Sequence, residues 1–349
     1  MKAYWKVPSC KLKLQVPCEK IKWNKSSQSA QKGKRQVQPA SCAQVVEFLK
    51  SLRDKGCEVS AMSSFEALVP EQDLCLSIEE RELIPMYMAN VFKIEYEGLD
   101  KREIEKISGM LVFRLTTEQV NFAASITKQR SKCHYWHKLR IGRITASIFK
   151  QAARTNLKNV SMSLLKRICY FQDEIHSAAV KYGCRHESEA VNFILLEEKE
   201  QHTQLTIETS GIIIDKEKSY YACSPDGIWR CDCCGEMPVE VKCPFCLKDG
   251  DVATFLSSSS CPIIKENGEW RISKQHQYYW QIQMQCAILK SDYCIFCIYS
   301  PFFKVIVKVP FDKLFFNSEV LKTDLYFKNI VLRELLARYY SNRTNFLKM

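Results

Sequence analysis

The chain has 349 residues, 46% of them hydrophobic, and carries a formal net charge of +12. That is enough apolar material for one large folded domain or two modest ones, and too much for an unstructured polymer. The basic balance favours a polyanionic partner, while no apolar run reaches membrane-spanning length; the nearest, Tyr293 to Tyr299, is strand-sized, so no membrane partner is expected. The chain has 18 cysteines, and its N-terminus, MKAYWKVPSCKLKLQV, lacks the apolar core of a signal peptide. The cysteines fit free thiols in a reducing intracellular compartment, the nucleus in preference to the cytoplasm.

Charge is unevenly placed. Residues 1–60 hold 13 Lys/Arg against 4 Asp/Glu, residues 61–115 reverse the sign, and residues 116–150 hold 7 Lys/Arg against Glu118 alone. Residues 1–40 read as a basic, flexible N-terminal segment, with SSQSAQKGKRQVQP at 26–39 as a linker. KGKR at 32–35 fits a nuclear-entry signal or a plain solvated surface. Residues 41–114 read as a helical N-terminal extension. Its helices are expected at 42–56, with Val45, Val46, Phe48, Leu49 and Leu52 on one stripe, and at 78–95.

A denser pattern begins at 115 and continues to 349. Thr117 is placed to cap a helix through Thr127, and a basic connector, KQRSKCHYWHKLRIGR, leads to a second helix opening at Thr145-Ala-Ser. A long helix is expected at 177–201, with Ala190, Val191, Ile194 and Leu195 facing the core. Strands follow at 205–214, 219–223 and 238–242, then a helix at 274–289 and strands at 292–300 and 303–309. An amphipathic helix at 318–340 closes the chain. The order gives an α/β fold with a mixed central sheet flanked by helices.

The most informative stretch is CSPDGIWRCDCCGEMPVEVKCP, residues 223–244. Asp226 follows a short apolar strand, and Glu240 and Lys242 lie fourteen and sixteen residues on. Side chains of a strand alternate faces, so Glu240 and Lys242 point one way and Val239 and Val241 point into the core. Two carboxylates beside an ammonium suit Mg²⁺ and an attacking water at a phosphodiester. This is the residue set of a PD-(D/E)XK nuclease. An E-x-K triplet alone is commonly a solvated ion pair, and Ser224-Pro225-Asp226-Gly227 alone is an ordinary turn in which Pro and Gly supply the bend. Their conjunction is what points to chemistry.

Other residues join this set on physical grounds. Arg140 has the side chain best shaped to fork two hydrogen bonds onto a phosphate, and Thr145 and Ser147 stand where free helical N–H groups attract anions. A surface arginine and a simple N-cap are the alternative. Glu187 shares a helical stripe with Ala190 and Val191, unlike Glu189. Gln281 and Gln283, two apart on a helix, cannot both face one site. Cys231/Cys234 and Cys243/Cys246 form two C-x-x-C pairs eight residues apart, which suits either a structural Zn²⁺ tetrad or a hairpin of free thiols. The six histidines show no metal-binding spacing and are expected to be surface or packed residues.

Four segments occur in order: WHKLRIGRITAS (136–147), GCRHESEA (183–190), CSPDG…VEVKCP and YYWQIQMQ (278–285). Together they resemble the lambda exonuclease and YqaJ-type viral recombinase family over roughly residues 115–310, with a Cys-rich insert like that of its eukaryotic, mobile-element-associated branch. The resemblance implies a restriction-endonuclease-like core and a 5′→3′ exonuclease acting on duplex DNA ends with Mg²⁺, for which Mn²⁺ can substitute. It implies that Asp226, Glu240 and the carbonyl of Val241 hold the metal with Glu187 as the helix-borne acid. Lys242 would orient or deprotonate water, Gln281 would support the active-site strand, and Arg140, Thr145 and Ser147 would grip a 5′-phosphate. It further implies a ring-forming homo-oligomer and, by analogy with phage recombination, a single-strand annealing partner. Rival readings are an endonuclease on the same core, a non-catalytic DNA-binding module and an RNA-directed nuclease. The intact Asp226, Glu240 and Lys242 weigh against the binding module.

Overall fold

The computed structural model describes residues 4–6, 15–17, 76–171 and 177–346, in two compact units, Met1–Glu82 and Leu83–Met349. The first unit contains an antiparallel ladder of Tyr4–Lys6 with Gln15–Pro17. It ends in a short helix, Ile78–Glu82, opened by reciprocal bonds between Ser77 and Glu80. The linker at 26–39, the KGKR run and the helix at 42–56 lie outside the described residues. Of the helix expected at 78–95, only Ile78–Glu82 is α-helical; Met88–Val91 and Ile94–Tyr96 are 3₁₀ turns.

In the second unit, helices α1 (Lys101–Met110) and α2 (Thr117–Ile126) both begin at capping boxes. The α2 cap is Thr116 rather than Thr117, because the Thr116 hydroxyl and the Gln119 amide exchange bonds with each other's backbone N–H. Helix α3 (His134–Arg140) leads through a tight turn to strand β1 (Ile144–Thr145), a 3₁₀ turn and α4 (Phe149–Arg154). Helices α5 (Met162–Cys169) and α6 (Ala178–Glu198) complete the helical lead-in. The α3–β1 turn depends on Gly142, whose φ is +75° and whose Cβ, if it had one, would lie 2.5 Å from Cβ of Met88. Next to it Arg143, 1% exposed, donates to the carbonyls of Leu139, Ser219 and Met86 at 2.7, 2.7 and 2.9 Å.

The strands that follow are β2 (Thr206–Glu208), β3 (Ile213–Ile214), β4 (Tyr221–Cys223), β5 (Gly227–Cys231) and β6 (Gly235–Lys242). A hairpin, β7 (Ile263–Glu266) and β8 (Glu269–Ile272), comes next. Helix α7 (Val252–Ser257) precedes that hairpin and α8 (Gln277–Leu289) follows it; the last strands are β9 (Tyr293–Tyr299) and β10 (Lys304–Pro310). The main sheet has the order β10-β9-β6-β5-β2 and is antiparallel except where β6 and β9 run parallel. A small sheet, β1-β4-β3, stands apart.

The strand expected at 205–214 is therefore two strands in two sheets. The break falls where the carbonyl of Ser210 accepts from Arg130 and the N–H of Ile212 donates to Thr127 Oγ1. The β7–β8 hairpin was not foreseen, although Asn267-Gly268, both at positive φ, is its turn signal. The closing helix also differs. It starts at Lys313 (α9, Lys313–Tyr326), passes through a π turn at Phe327–Val331, and ends with α10 (Leu332–Ala337) at a left-handed Arg338.

Both faces of the main sheet are covered. Ile295, Cys297 and Tyr299 of β9 pack toward α6 with Ala190, Ile194, Val239 and Val241. Phe296 and Ile298 pack toward α8, beside Trp280, Ile282 and Met284. This sandwich carries the site between its two helices. We predict that Gly142→Ala lowers the denaturant midpoint by an amount equivalent to about 2–3 kcal/mol, since it combines positive-φ strain with overpacking. A midpoint equal to wild type would show that the turn relaxes.

Candidate active site

Alternation along β6 sets Val239 and Val241 against α6 and turns Glu240 and Lys242 to the other face. The sequence suggested that only the valine side is core. In fact Glu240 is 1% exposed, because α8 lies over it. A carboxylate there needs donors, and it has three. Gln281 Nε2 donates to Oε1 and Gln285 Nε2 to Oε2, each at 2.5 Å, and Lys242 Nζ also bonds Oε1. Gln281 and Gln285 are four apart and share a helix face. Gln283 points away, donating to the Pro310 carbonyl at 3.0 Å and accepting from the Asp312 N–H at 2.6 Å. Gln285 was missed from sequence, although its i,i+4 spacing to Gln281 was the available signal.

Asp226 stands where β5 begins. Pairing of β5 with β6 stops at Gly227–Val239, so the Val241 N–H lies beyond the ladder and donates instead to Asp226 Oδ2 at 2.7 Å. A strand residue sends its N–H and C=O to the same edge, which opens the Val241 carbonyl on the Asp226 side. Gly227 is the first residue of β5, not the bend of a turn. A Cβ there would meet Ile207 Cγ2 of β2 at 2.6 Å, so the glycine allows the close approach of that strand.

Arg130, from the basic connector, was also missed. At φ 49° it sends Nη1 to both Glu187 Oε1 (2.8 Å) and Asp226 Oδ1 (2.9 Å), while Nη2 holds the Pro225 carbonyl. Its partners lie 57 to 96 residues away, beyond any local pattern. Glu187 reaches the cleft from α6, whereas Glu189 accepts from the Tyr299 hydroxyl at 3.5 Å. The cleft, of about 260 Å³, is lined by Glu187, Asp226, Lys242, Cys243 and Tyr278 among others.

Electrostatics follow from this crowding. Burial, with Asp226 adding to it and Arg130 opposing, pushes the Glu187 carboxyl up to about 7. Burial raises Glu240 as well, against the pull of Lys242. Burial alone would lower Lys242, but the charges of Glu240 and Asp226 outweigh it and its pKa rises. Three carboxylates and a strand carbonyl against two cations form an all-oxygen donor set that fits a hard divalent ion, Mg²⁺ or Mn²⁺.

Arg140 stacks on Trp136, 4.1 Å from the ring centroid, and the Trp136 indole N–H donates to Ser224 Oγ at 3.1 Å. This fixes the arginine beside the segment that leads to Asp226. Burial and then the neighbouring Arg167 lower its pKa to about 10, and no carboxylate pairs with it among the described residues. Thr145 is buried and makes no capping bond; its hydroxyl contacts that of the exposed Ser147 at 3.2 Å. A groove of about 450 Å³, lined by Gln151, Arg154, Ser161, Ser163 and Arg167, carries two more guanidinium-bearing side chains.

The two C-x-x-C pairs do not meet. Cys231 and Cys234 gather with Cys233 and His202, while Cys243 lines the cleft and Cys246 is exposed in the 3₁₀ turn Phe245–Leu247. The cause is strand length. The eight residues of β6 span about 26 Å, carrying Cys243 to the opposite end of the hairpin from Cys231. His202 also departs from the expectation that all six histidines are plain surface or packed residues.

A mixed sheet clasped by helices, with Asp226, Glu240 and Lys242 at its strand mouths, is the arrangement expected of a PD-(D/E)XK nuclease. Residues 135–292 match the YqaJ-like viral recombinase domain. Among solved structures it is similar to an alkaline exonuclease (LHK-Exo) from Laribacter hongkongensis. That match has 19% identity and a TM-score of 0.42, and covers 61% of this chain and 98% of that one. The Shutoff and Exonuclease Protein of Kaposi's sarcoma-associated herpesvirus is similar at 11% identity and a TM-score of 0.42, over 70% of this chain and 77% of that one. No individually curated protein sequence matches. No helix among the described residues is long and apolar enough to cross a membrane.

The Glu187 shift has a testable sign. A carboxyl raised from 4.5 to about 7 on folding stabilises the metal-free protein fully below pH 4.5 and loses that contribution as pH rises through about 7. Metal-free protein should therefore melt higher near pH 5 than near pH 8, and Glu187→Gln should shrink that difference. An unchanged difference would mean that Glu187 stays ionised throughout.

Proposed function

We propose that the chain is a Mg²⁺-dependent deoxyribonuclease that digests one strand of duplex DNA 5′→3′ from a 5′-phosphorylated end. Its setting would be recombination or the processing of viral or mobile-element DNA. The observation that carries this is the meeting of Glu187, Asp226 and Lys242 in one cleft, with Glu240 buried behind it and bonded to Lys242. The YqaJ-like domain and the arginine-lined groove support it.

Asp226, Glu240, Glu187 and the Val241 carbonyl would hold the ion, which when bound supplies a Lewis acid and an acidified water. Gln281 and Gln285 lock the Glu240 carboxylate in one orientation. Its Oε1 accepts two bonds and its Oε2 one, leaving a single Oε2 lone pair for a ligand. The raised pKa of Lys242 favours a fixed ammonium that steadies charge on the phosphodiester over a proton acceptor. Arg130 holds Glu187 and Asp226 at a common distance. Arg140, with Ser147 and the Thr145 that supports it, would bind the terminal phosphate. A phosphate site of that kind prefers a strand end to an internal bond, which favours an exonuclease.

The test is digestion of linear duplex DNA bearing one 5′-phosphate, with 5′-hydroxyl duplex and closed circular DNA as controls. Wild type should degrade the phosphorylated strand from its 5′ end only with a divalent metal. Asp226→Ala and Lys242→Ala should each lose at least a thousandfold in rate and still bind DNA. Cutting of the closed circle would replace the proposal with an endonuclease, and binding without cleavage under varied metals would replace it with a non-catalytic module. Gln285→Leu should keep measurable cleavage, but its acid limb should move to higher pH by about one unit, because Glu240 loses a donor to its charged form. An unmoved limb would remove Gln285 from the support of Glu240.

A further inference from the structure

We propose that His202, Cys231, Cys233 and Cys234 form a structural zinc site that braces the end of the catalytic hairpin farthest from the cleft. The four ligand atoms lie within 4.8 Å of one another. The Sγ atoms of Cys231 and Cys233 are 3.5 Å apart, and those of Cys233 and Cys234 are 3.9 Å apart. His202 Nδ1 lies 3.7, 3.1 and 3.6 Å from Cys231, Cys233 and Cys234 in turn. Tetrahedral bonds of about 2.3 Å to sulfur and about 2.0 Å to nitrogen put ligand atoms roughly 3.5–3.8 Å apart. Five of the six edges of such a tetrahedron are thus close to their required length without an ion to draw them in.

The surroundings fit a metal better than a chance meeting of thiols. His202 turns Nδ1 to the sulfurs, and its Nε2 lies 3.6 Å from the Glu198 carboxylate, one helical turn earlier. That histidine–carboxylate pairing is how metal-bound imidazoles are oriented. Cys231 Sγ accepts from the Trp229 indole N–H at 3.2 Å and from the Cys234 backbone N–H at 3.3 Å, bonds that favour a thiolate. Three sulfurs and one imidazole select a soft ion over Mg²⁺, and four protein ligands leave no open position for substrate.

The place of the tetrad gives it a purpose. His202 lies just beyond α6, the helix of Glu187; Cys231 ends β5, which starts next to Asp226; Cys233 and Cys234 form the turn into β6, the strand of Glu240. One ion would tie together the three elements that supply the carboxylates. It would do so about 16 Å along β5 from Asp226, too far to take part in the reaction.

The test does not depend on the nuclease activity. Protein purified under reducing conditions without chelator is analysed for metal by mass spectrometry, and its zinc-free form is titrated with Co²⁺. The expected results are one zinc per chain and the absorption bands of a tetrahedral, thiolate-rich cobalt site. Both should be lost in His202→Ala and in Cys234→Ser but kept in Cys243→Ser/Cys246→Ser. Glu198→Gln, which leaves every ligand in place, should weaken zinc binding about 10- to 100-fold. Folded wild type with no zinc and no cobalt spectrum would overturn the site, whatever the stability of the variants. Zinc lost only from the Cys243/Cys246 variant would overturn it in favour of the other cysteine pair.

Discussion

The carboxyl group of Glu240, almost wholly removed from water, is the constraint on which the site is built. An unpaired charge in such a place costs several kcal/mol. It is tolerable here because an ammonium and two amides converge on its two oxygens. Those amides come from positions 281 and 285 of one helix, so α8 has to lie on the sheet with one face down and in one register. The parallel pairing of β6 with β9 follows the same logic, since it puts Phe296 and Ile298 under α8 beside Glu240. Each partner removed singly leaves the others facing a buried charge. Packing specificity and the geometry of the candidate site are therefore the same requirement in this region.

What the sequence disclosed was what local chemistry can encode. Apolar alternation located β6, β9 and β10 to within a few residues, and the stripe through Ala190 and Ile194 gave the inner face of α6. The Glu-x-Lys triplet showed which side chains share a face of β6. It could not show that this face is buried, because alternation reports the difference between faces and not what covers them. Arg130 was hidden for another reason: an arginine in left-handed backbone, serving partners far along the chain, leaves no periodic trace. The cysteines were misgrouped because spacing was counted along the sequence. A strand of eight residues separates its ends by more than any coordination sphere, and only a hairpin turn brings neighbours such as Cys231, Cys233 and Cys234 together.

The two arginines on either side of Gly142 show how the fold divides labour among like residues. Arg143 commits its N–H groups to three backbone carbonyls and so ties the α3–β1 turn to its surroundings. Arg140, three residues earlier, is held by stacking on Trp136. Burial lowers the pKa of both, to about 10 for Arg140 and about 9 for Arg143. The difference is that carbonyl dipoles already compensate one charge, whereas the other has Arg167 for a neighbour and, among the described residues, no acid. A partly desolvated cation left in that condition is stabilised by an arriving anion more than a solvated one would be, and the forked geometry of a guanidinium suits a phosphate. The end of α3 and the turn after it thus carry one cation committed to the fold and one that is not, and the glycine between them sets where each can reach.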